Sequence, residues 1–165
     1  MPSTHHIAQF NVARMLAPLD TPTMAEFVAG LDPMNELADH APGFVWRLKG
    51  EDEGARDATD IRPYDADTIV TMSVWETPDQ LWEFVYRSGH LEYLRRRQDW
   101  FAHIAEMSQV LWWLPAGIIP TSADGRTRLD HLREHGPTPY AFTFRNRFPE
   151  PAPSSTPALQ PADIA

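Results

Sequence analysis

Four stretches of the chain alternate apolar and polar positions with the period of a β-strand. In His6–Arg14, Ala8, Phe10 and Val12 share one side, and Ile7, Gln9, Asn11 and Ala13 the other. Phe44–Leu48 sets Phe44, Trp46 and Leu48 against Val45 and Arg47, and Thr68–Trp75 sets Val70, Met72 and Val74 against Ile69, Thr71, Ser73 and Trp75. Ser108–Leu114 sets Val110, Trp112 and Leu114 against Leu111 and Trp113. In the first and third of these, one face is wholly apolar and suits packing under helices. The other mixes apolar groups with amides or hydroxyls, where a solvent-facing strand more often carries charge. Gln9, Asn11 and Ser73 therefore read as occupants of a semi-polar cavity or a subunit interface; the alternative is an ordinary exposed face.

Between the strands the period turns helical. Thr23–Asp39 carries Phe27, Leu31, Met34, Leu37 and Ala38 as an apolar stripe. Thr23 and Glu26 stand at capping-box spacing, and Gly30 and Pro33 predict a kink near Asp32. A second helix starts at Thr77-Pro78-Asp79-Gln80, with a cap at Thr77 and proline in the first turn. Its phase changes midway. Leu81, Phe84, Val85 and Ser88 share one side, whereas Leu94, Phe101 and Ala105 lie nearly opposite. One straight helix cannot bury both sets against one sheet, so the spacing predicts a break at Ser88-Gly89. Ser88 would cap a further helix running to about Met107. Thr121 or Ser122 caps a short last helix that closes at His135-Gly136-Pro137. Tyr140, Phe142 and Phe144 then alternate as a docking arm or edge strand.

Two segments stand outside this pattern. Lys49–Asp67 is polar, with Gly50, Gly54, Pro63 and several acids, and reads as a long hairpin connection and a candidate lid. From Pro149 on, prolines with Ser, Thr and Ala make a tail that cannot bury a core and is expected to be disordered. The expected organisation is one domain over 1–148 with a tail over 149–165. The order β-α-β-β-α-β with an extra C-terminal helix and arm is α+β and ferredoxin-like, a four-stranded antiparallel sheet with helices on one face. The opposite face must find cover. Closing two such sheets face to face into a dimeric α/β barrel with a semi-polar lumen supplies it, which predicts a homodimer.

Composition narrows the chemistry. The chain has 165 residues, a formal net charge of -9 and no cysteine. Disulfides, thiolate nucleophiles and Cys-based zinc sites are thereby excluded. The acidic balance argues against non-specific nucleic-acid binding. The first ten residues lack the pattern of a secretion signal, and no apolar run is long enough for a membrane helix. The expectation is a cytoplasmic protein with neither nucleic acid nor membrane as partner. Arg95-Arg96-Arg97 is the local exception. It is either a solvated helix face paired with Glu92 and Asp99, or a clamp for a ligand carboxylate or phosphate.

His90 is the sharpest candidate for chemistry. At the start of a helix the dipole disfavours imidazolium, so a neutral ring is expected. Such a ring serves as a base, as a donor to an oxyanion, or as a haem or metal ligand. The plainer role is to satisfy a backbone group at the helix break. Tyr86 and Tyr93, about a turn to either side, line the same pocket or belong to the core. Trp46, Trp75, Trp82, Trp112 and Trp113 read first as core; Trp46, Trp75 and Trp113 are also candidates for an aromatic wall. Neighbouring Trp112 and Trp113 must face opposite ways, so one of them points away from the helices. No protein-encoded metal site is expected: no HExxH pattern occurs, and His131 and His135, four residues apart, lack a third ligand. Walker, Rossmann and nucleophile-elbow motifs are absent.

Several separate stretches carry a family resemblance. His6-Ile7-Ala8-Gln9-Phe10-Asn11-Val12-Ala13-Arg14, Pro42–Leu48, Ser73-Val74-Trp75-Glu76, Phe84–His90 and Leu111-Trp112-Trp113-Leu114-Pro115-Ala116-Gly117 together resemble an uncharacterised bacterial family of unknown function. That family looks like a member of the dimeric α/β-barrel superfamily. The resemblance reaches to Phe148 and implies the fold and dimerisation. It implies no single reaction, because the superfamily includes cofactor-free monooxygenases, haem enzymes, lactone isomerases and stress-response proteins. Three functions stay open. The first is a small-molecule enzyme, monooxygenase-like or isomerase-like, with no cofactor, an aromatic or polyketide-type substrate, His90 as acid/base and Gln9, Asn11 and Ser73 as orienting groups. The second is a haem protein with His90 as axial ligand. The third is a non-catalytic dimeric binding or stress-response module.

Overall fold

The central strand β1 (His5–Met15) pairs antiparallel with β3 (Thr68–Trp75) on one edge and with β5 (Gln109–Pro115) on the other. β2 (Phe44–Arg47) adds outside β3, and the two-residue β4 (Phe101–Ala102) pairs with the far end of β1 at Arg14 and Met15. β1 and β2 are thus parallel strands with β3 between them, the split βαβ arrangement of the ferredoxin-like plan. This computed structural model describes residues 3–152. The expected tail is described only to Ala152; the rest of it lies outside the described residues. No helix among the described residues is long and apolar enough to cross a membrane.

Both sheet faces are covered, and the sides are the reverse of those expected. Ile7, Trp75 and Leu111 meet Ala38 of α1 (Ala25–Asp39) and Leu81 of α2 (Pro78–Arg87). The helices of the repeat therefore lie over the semi-polar face. The apolar face, with Ala8, Phe10, Val12, Val70 and Met72, is buried by Leu129 and Leu132 of the C-terminal helix. Leu48, Ile61 and Tyr64, at the start of the long connection and within it, also pack there. Tyr64 ties that connection down by donating to Asp130 Oδ1 at 3.2 Å, with the Arg126 guanidinium over its ring. All five sheet residues are 4% exposed or less.

The final helix follows α3 (His90–Arg95) and α4 (Arg97–Trp100), and so is α5 (Ser122–His135). Thr121 and Asp124 form its capping box. Gly125 lets it lie directly on Phe10, whose ring would collide with any Cβ there. The arm docks beside β5, where Phe142 and Leu111 exchange backbone hydrogen bonds of 2.9 and 2.8 Å.

Three boundaries differ from expectation. A 3₁₀ turn at Pro22–Met24 precedes α1, and no side chain caps either. The break at Ser88-Gly89 is present, but the helical path beyond it ends at Trp100, not Met107. Trp100 packs against Phe27 and Tyr93, and the next two residues leave as β4. In β2 the register slips between Phe44 and Trp46. The extra residue of this bulge sends Phe44 to the α2 side and Trp46 to the α5 side, ending the simple alternation.

Candidate functional site

Strand register assembles the polar floor of the site. Gln9 stands opposite Ser73, and Asn11 opposite both Thr71 and Gln109. Gln9 Nε2 donates to Ser73 Oγ at 2.9 Å, and the indole Nε1 of Trp75 donates to the same oxygen at 2.8 Å. Gln109 Nε2 reaches Gln9 Oε1 at 3.4 Å. A serine hydroxyl has two acceptor positions and one hydrogen. Both acceptor positions of Ser73 are filled, which leaves its O–H to donate.

The roof comes from α1, α2 and α3. The Ser88 hydroxyl bridges the helix break, donating to Phe84 O and accepting from His90 N at 3.2 Å. His90 Nδ1 lies 3.2 Å from Val85 O. A carbonyl only accepts, so Nδ1 carries the hydrogen and Nε2 keeps a bare lone pair, with no partner among the described residues. Burial pushes this imidazole below its usual pKa, against a smaller upward pull from the Val85 carbonyl. The ring is neutral at neutral pH, and desolvation is the main cause. Phe84 lies 5.3 Å from the imidazole and stacks on Trp75 at 5.1 Å, so aromatic surface runs from His90 to the sheet. Tyr93 lies against Gly30 of α1, where a Cβ would overlap its ring.

Floor and roof enclose a cavity of about 410 Å³, within the range that accepts small organic ligands. Its inner end meets buried Trp75 and Leu81; exposed Thr71 and Arg97 stand on its rim. Gln9, Asn11, Ser73, Trp75, Tyr86, His90 and Tyr93 all line it. Two of the expected wall residues do not. Trp46 is turned to the α5 side by the β2 bulge. Trp113 shares the cavity's side of the sheet but lies under the C-terminal arm, its Nε1 donating to Phe148 O at 2.9 Å. Trp112 faces the opposite way, in the core beneath α5.

Three contributions escape sequence reasoning. Gln109 falls on the same side as Leu111 and Trp113 by plain alternation, a signal available in the sequence. Arg47 is paired with Ser73, and its guanidinium bonds Asp39 Oδ1 at 2.7 Å, joining β2 to the end of α1. The long connection supplies Asp57, Ala58 and Thr59 to the wall. Asp57 Oδ1 accepts from Thr59 Oγ1 at 2.6 Å, so this carboxylate is already engaged. Among the described residues, no group of three or more His, Asp or Glu is placed to hold a metal ion. His131 and His135 lie against each other, 4.4 Å between ring centroids, on α5.

Fold and cavity define an α+β domain of the ferredoxin-like class with an internal site suited to small molecules. The chain belongs to the family described as domain of unknown function DUF3291, whose model matches residues 6–158. No curated protein matches it. Among solved structures it is similar to PA3566 from Pseudomonas aeruginosa, at 11% identity and a TM-score of 0.46, over 72% of this chain and 99% of that one. It is also similar to a single-residue mutant of SnoaB, a cofactor-independent oxygenase from Streptomyces nogalater. That match has 14% identity and a TM-score of 0.44, over 71% of this chain and 97% of the other. NE2512, a protein of unknown function from Nitrosomonas europaea, matches at 10% identity and a TM-score of 0.44, over 72% and 97%.

Proposed function

We propose that this protein is a cofactor-independent acid–base enzyme, isomerase-like or monooxygenase-like, acting on a planar aromatic or polyketide-type small molecule in the cavity. One observation carries the reading: His90 is held by Val85 through Nδ1 and lines an aromatic cavity, with no partner for Nε2 among the described residues. Nε2 takes a proton from an acidic C–H or phenolic O–H of the substrate. The Ser73 hydroxyl, its acceptor positions already filled by Gln9 and Trp75, donates to the oxygen on which negative charge develops. Asn11 and Gln109 orient the ligand on the sheet. In the isomerase-like form the imidazolium returns the proton to another carbon of the same enolate. In the monooxygenase-like form the enolate carbon gives its electron pair to dioxygen and takes the proton back from the imidazolium as a hydroperoxide; O–O cleavage with loss of that carbon's remaining hydrogen releases water and leaves a new carbonyl. Cytoplasmic placement and a homodimer belong to the same proposal; exposed Leu16, Ile118 and Ile119 offer apolar surface for a dimer.

Deuterium uptake at the α-carbons of 2-tetralone, followed by NMR in D₂O, tests this directly. A positioned general base contributes about 10²–10⁴-fold, so His90→Gln should lose exchange by that order. Equal exchange in both proteins would remove His90 from the chemistry.

A further inference from the structure

The basic run Arg95-Arg96-Arg97 divides in the structure. Arg95 pairs with Glu92 at 3.6 Å. Arg96 pairs with Asp99 at 3.0 Å and with Glu26 of α1, and its guanidinium lies over Trp100. These two are the solvated, ion-paired face. Arg97 is different: it lines the cavity, it is exposed at the rim, and among the described residues no carboxylate pairs with it.

The other charges on the cavity wall are engaged. Arg47 is held by Asp39, and Asp57 by Thr59. Arg97 is thus the one cation on the wall without a counter-charge among the described residues. His90, Tyr93 and Leu94 of α3 and Arg97, the first residue of α4, all line the cavity. Arg97 sits seven residues beyond His90, across the turn at Arg96.

From this placement we infer that the substrate carries a carboxylate, held by Arg97 at the rim, at the end of the molecule remote from the group His90 deprotonates. This rests on the reading of His90 as the base and adds the class of substrate, a planar aromatic acid. A single guanidinium presents parallel N–H donors that match one carboxylate. The inner wall of Trp75, Phe84 and Leu81 suits the apolar rings. Recognition at an exposed arginine is also salt-sensitive.

The test uses 6-hydroxy-2-naphthoic acid and its methyl ester, which differ in the charge at one end of the same ring system. Binding is followed by quenching of tryptophan fluorescence, in the unaltered protein and in Arg97→Gln, with circular dichroism as a check of folding. The expected result is acid bound about tenfold more tightly than ester, the preference shrinking as salt rises, and Arg97→Gln binding both equally. Equal affinities in the unaltered protein, or a preference that survives Arg97→Gln, would overturn the carboxylate assignment. His90→Gln separates the two readings. If the acid preference persists while 2-tetralone exchange is the same with and without His90, the anion site stands and the proposed base fails. If neither naphthoate binds, the cavity reading falls and takes the inference with it.

Discussion

The Nδ1 atom of His90 lies 3.2 Å from the carbonyl oxygen of Val85, five residues earlier and across the break between α2 and α3. This contact fixes which nitrogen of the ring holds the proton, and the lone pair of the other is then available. The break at Ser88-Gly89 is therefore part of the site, because a continuous helix would place residue 90 elsewhere.

Burial depresses the pKa of His90, which gives stability a pH dependence of definite sign. Between the folded pKa and the unfolded value of about 6.5, the unfolded chain binds more protons. Stability is fully present above that window and declines as pH falls through it. Thermal melts from pH 8 to pH 5 should show a steeper loss of Tm in the unaltered protein than in His90→Gln. Parallel curves would contradict the buried, neutral ring.

Ser73 accepts from two donors, so Ser73→Ala strands both Gln9 Nε2 and Trp75 Nε1. Trp75 is 1% exposed and cannot turn to water without moving the core. An orphaned buried donor costs about 1–3 kcal/mol. Chemical denaturation should show a loss of at least that size, with a shift in tryptophan emission. An unchanged midpoint would mean that this network contributes little.

Gly125→Ala tests the cover on the second sheet face. The new Cβ would meet the ring of fully buried Phe10 and force α5 away from the sheet. Overpacking of this kind costs about 1–3 kcal/mol, and each kcal/mol lowers Tm by about 2–4 °C in a chain this long. A melt with no loss would show that α5 does not press on Phe10.

The haem alternative is separable from the acid–base reading by absorption alone. Haemin titrated into the protein should produce no Soret band that depends on His90. A band that forms on mixing and disappears in His90→Gln would make the same bare Nε2 a ligand and displace the proposed base.

Much of the fold is legible in the sequence, because strands β1, β3 and β5 alternate cleanly and the phase change at Ser88-Gly89 can be counted. Assigning the sheet faces is harder. The apolar face of β1 looks made for the helices of the repeat, yet α5 takes it. Apart from Ala123, Leu129 and Leu132 that helix is polar, and beside the two leucines what fits it to the sheet is the missing side chain of Gly125. Such a feature leaves no hydrophobic stripe to read. Trp46 defeats the alternation for a similar reason: a one-residue bulge inverts everything after it. The polar floor of the cavity is readable as residue types, but bringing Gln109 beside Gln9 and Arg47 opposite Ser73 requires the strand register, which emerges only on folding.

The chemistry turns on one proton on one ring. A long-range ¹H–¹⁵N NMR experiment on the histidine side chains, with His90 assigned by comparison with His90→Gln, reads it directly. The expected result is a neutral His90 at pH 7, with hydrogen on Nδ1 and an unprotonated Nε2 whose signal moves when 2-tetralone is added. Hydrogen found on Nε2 at that pH, whether as the other tautomer or as imidazolium, would contradict it.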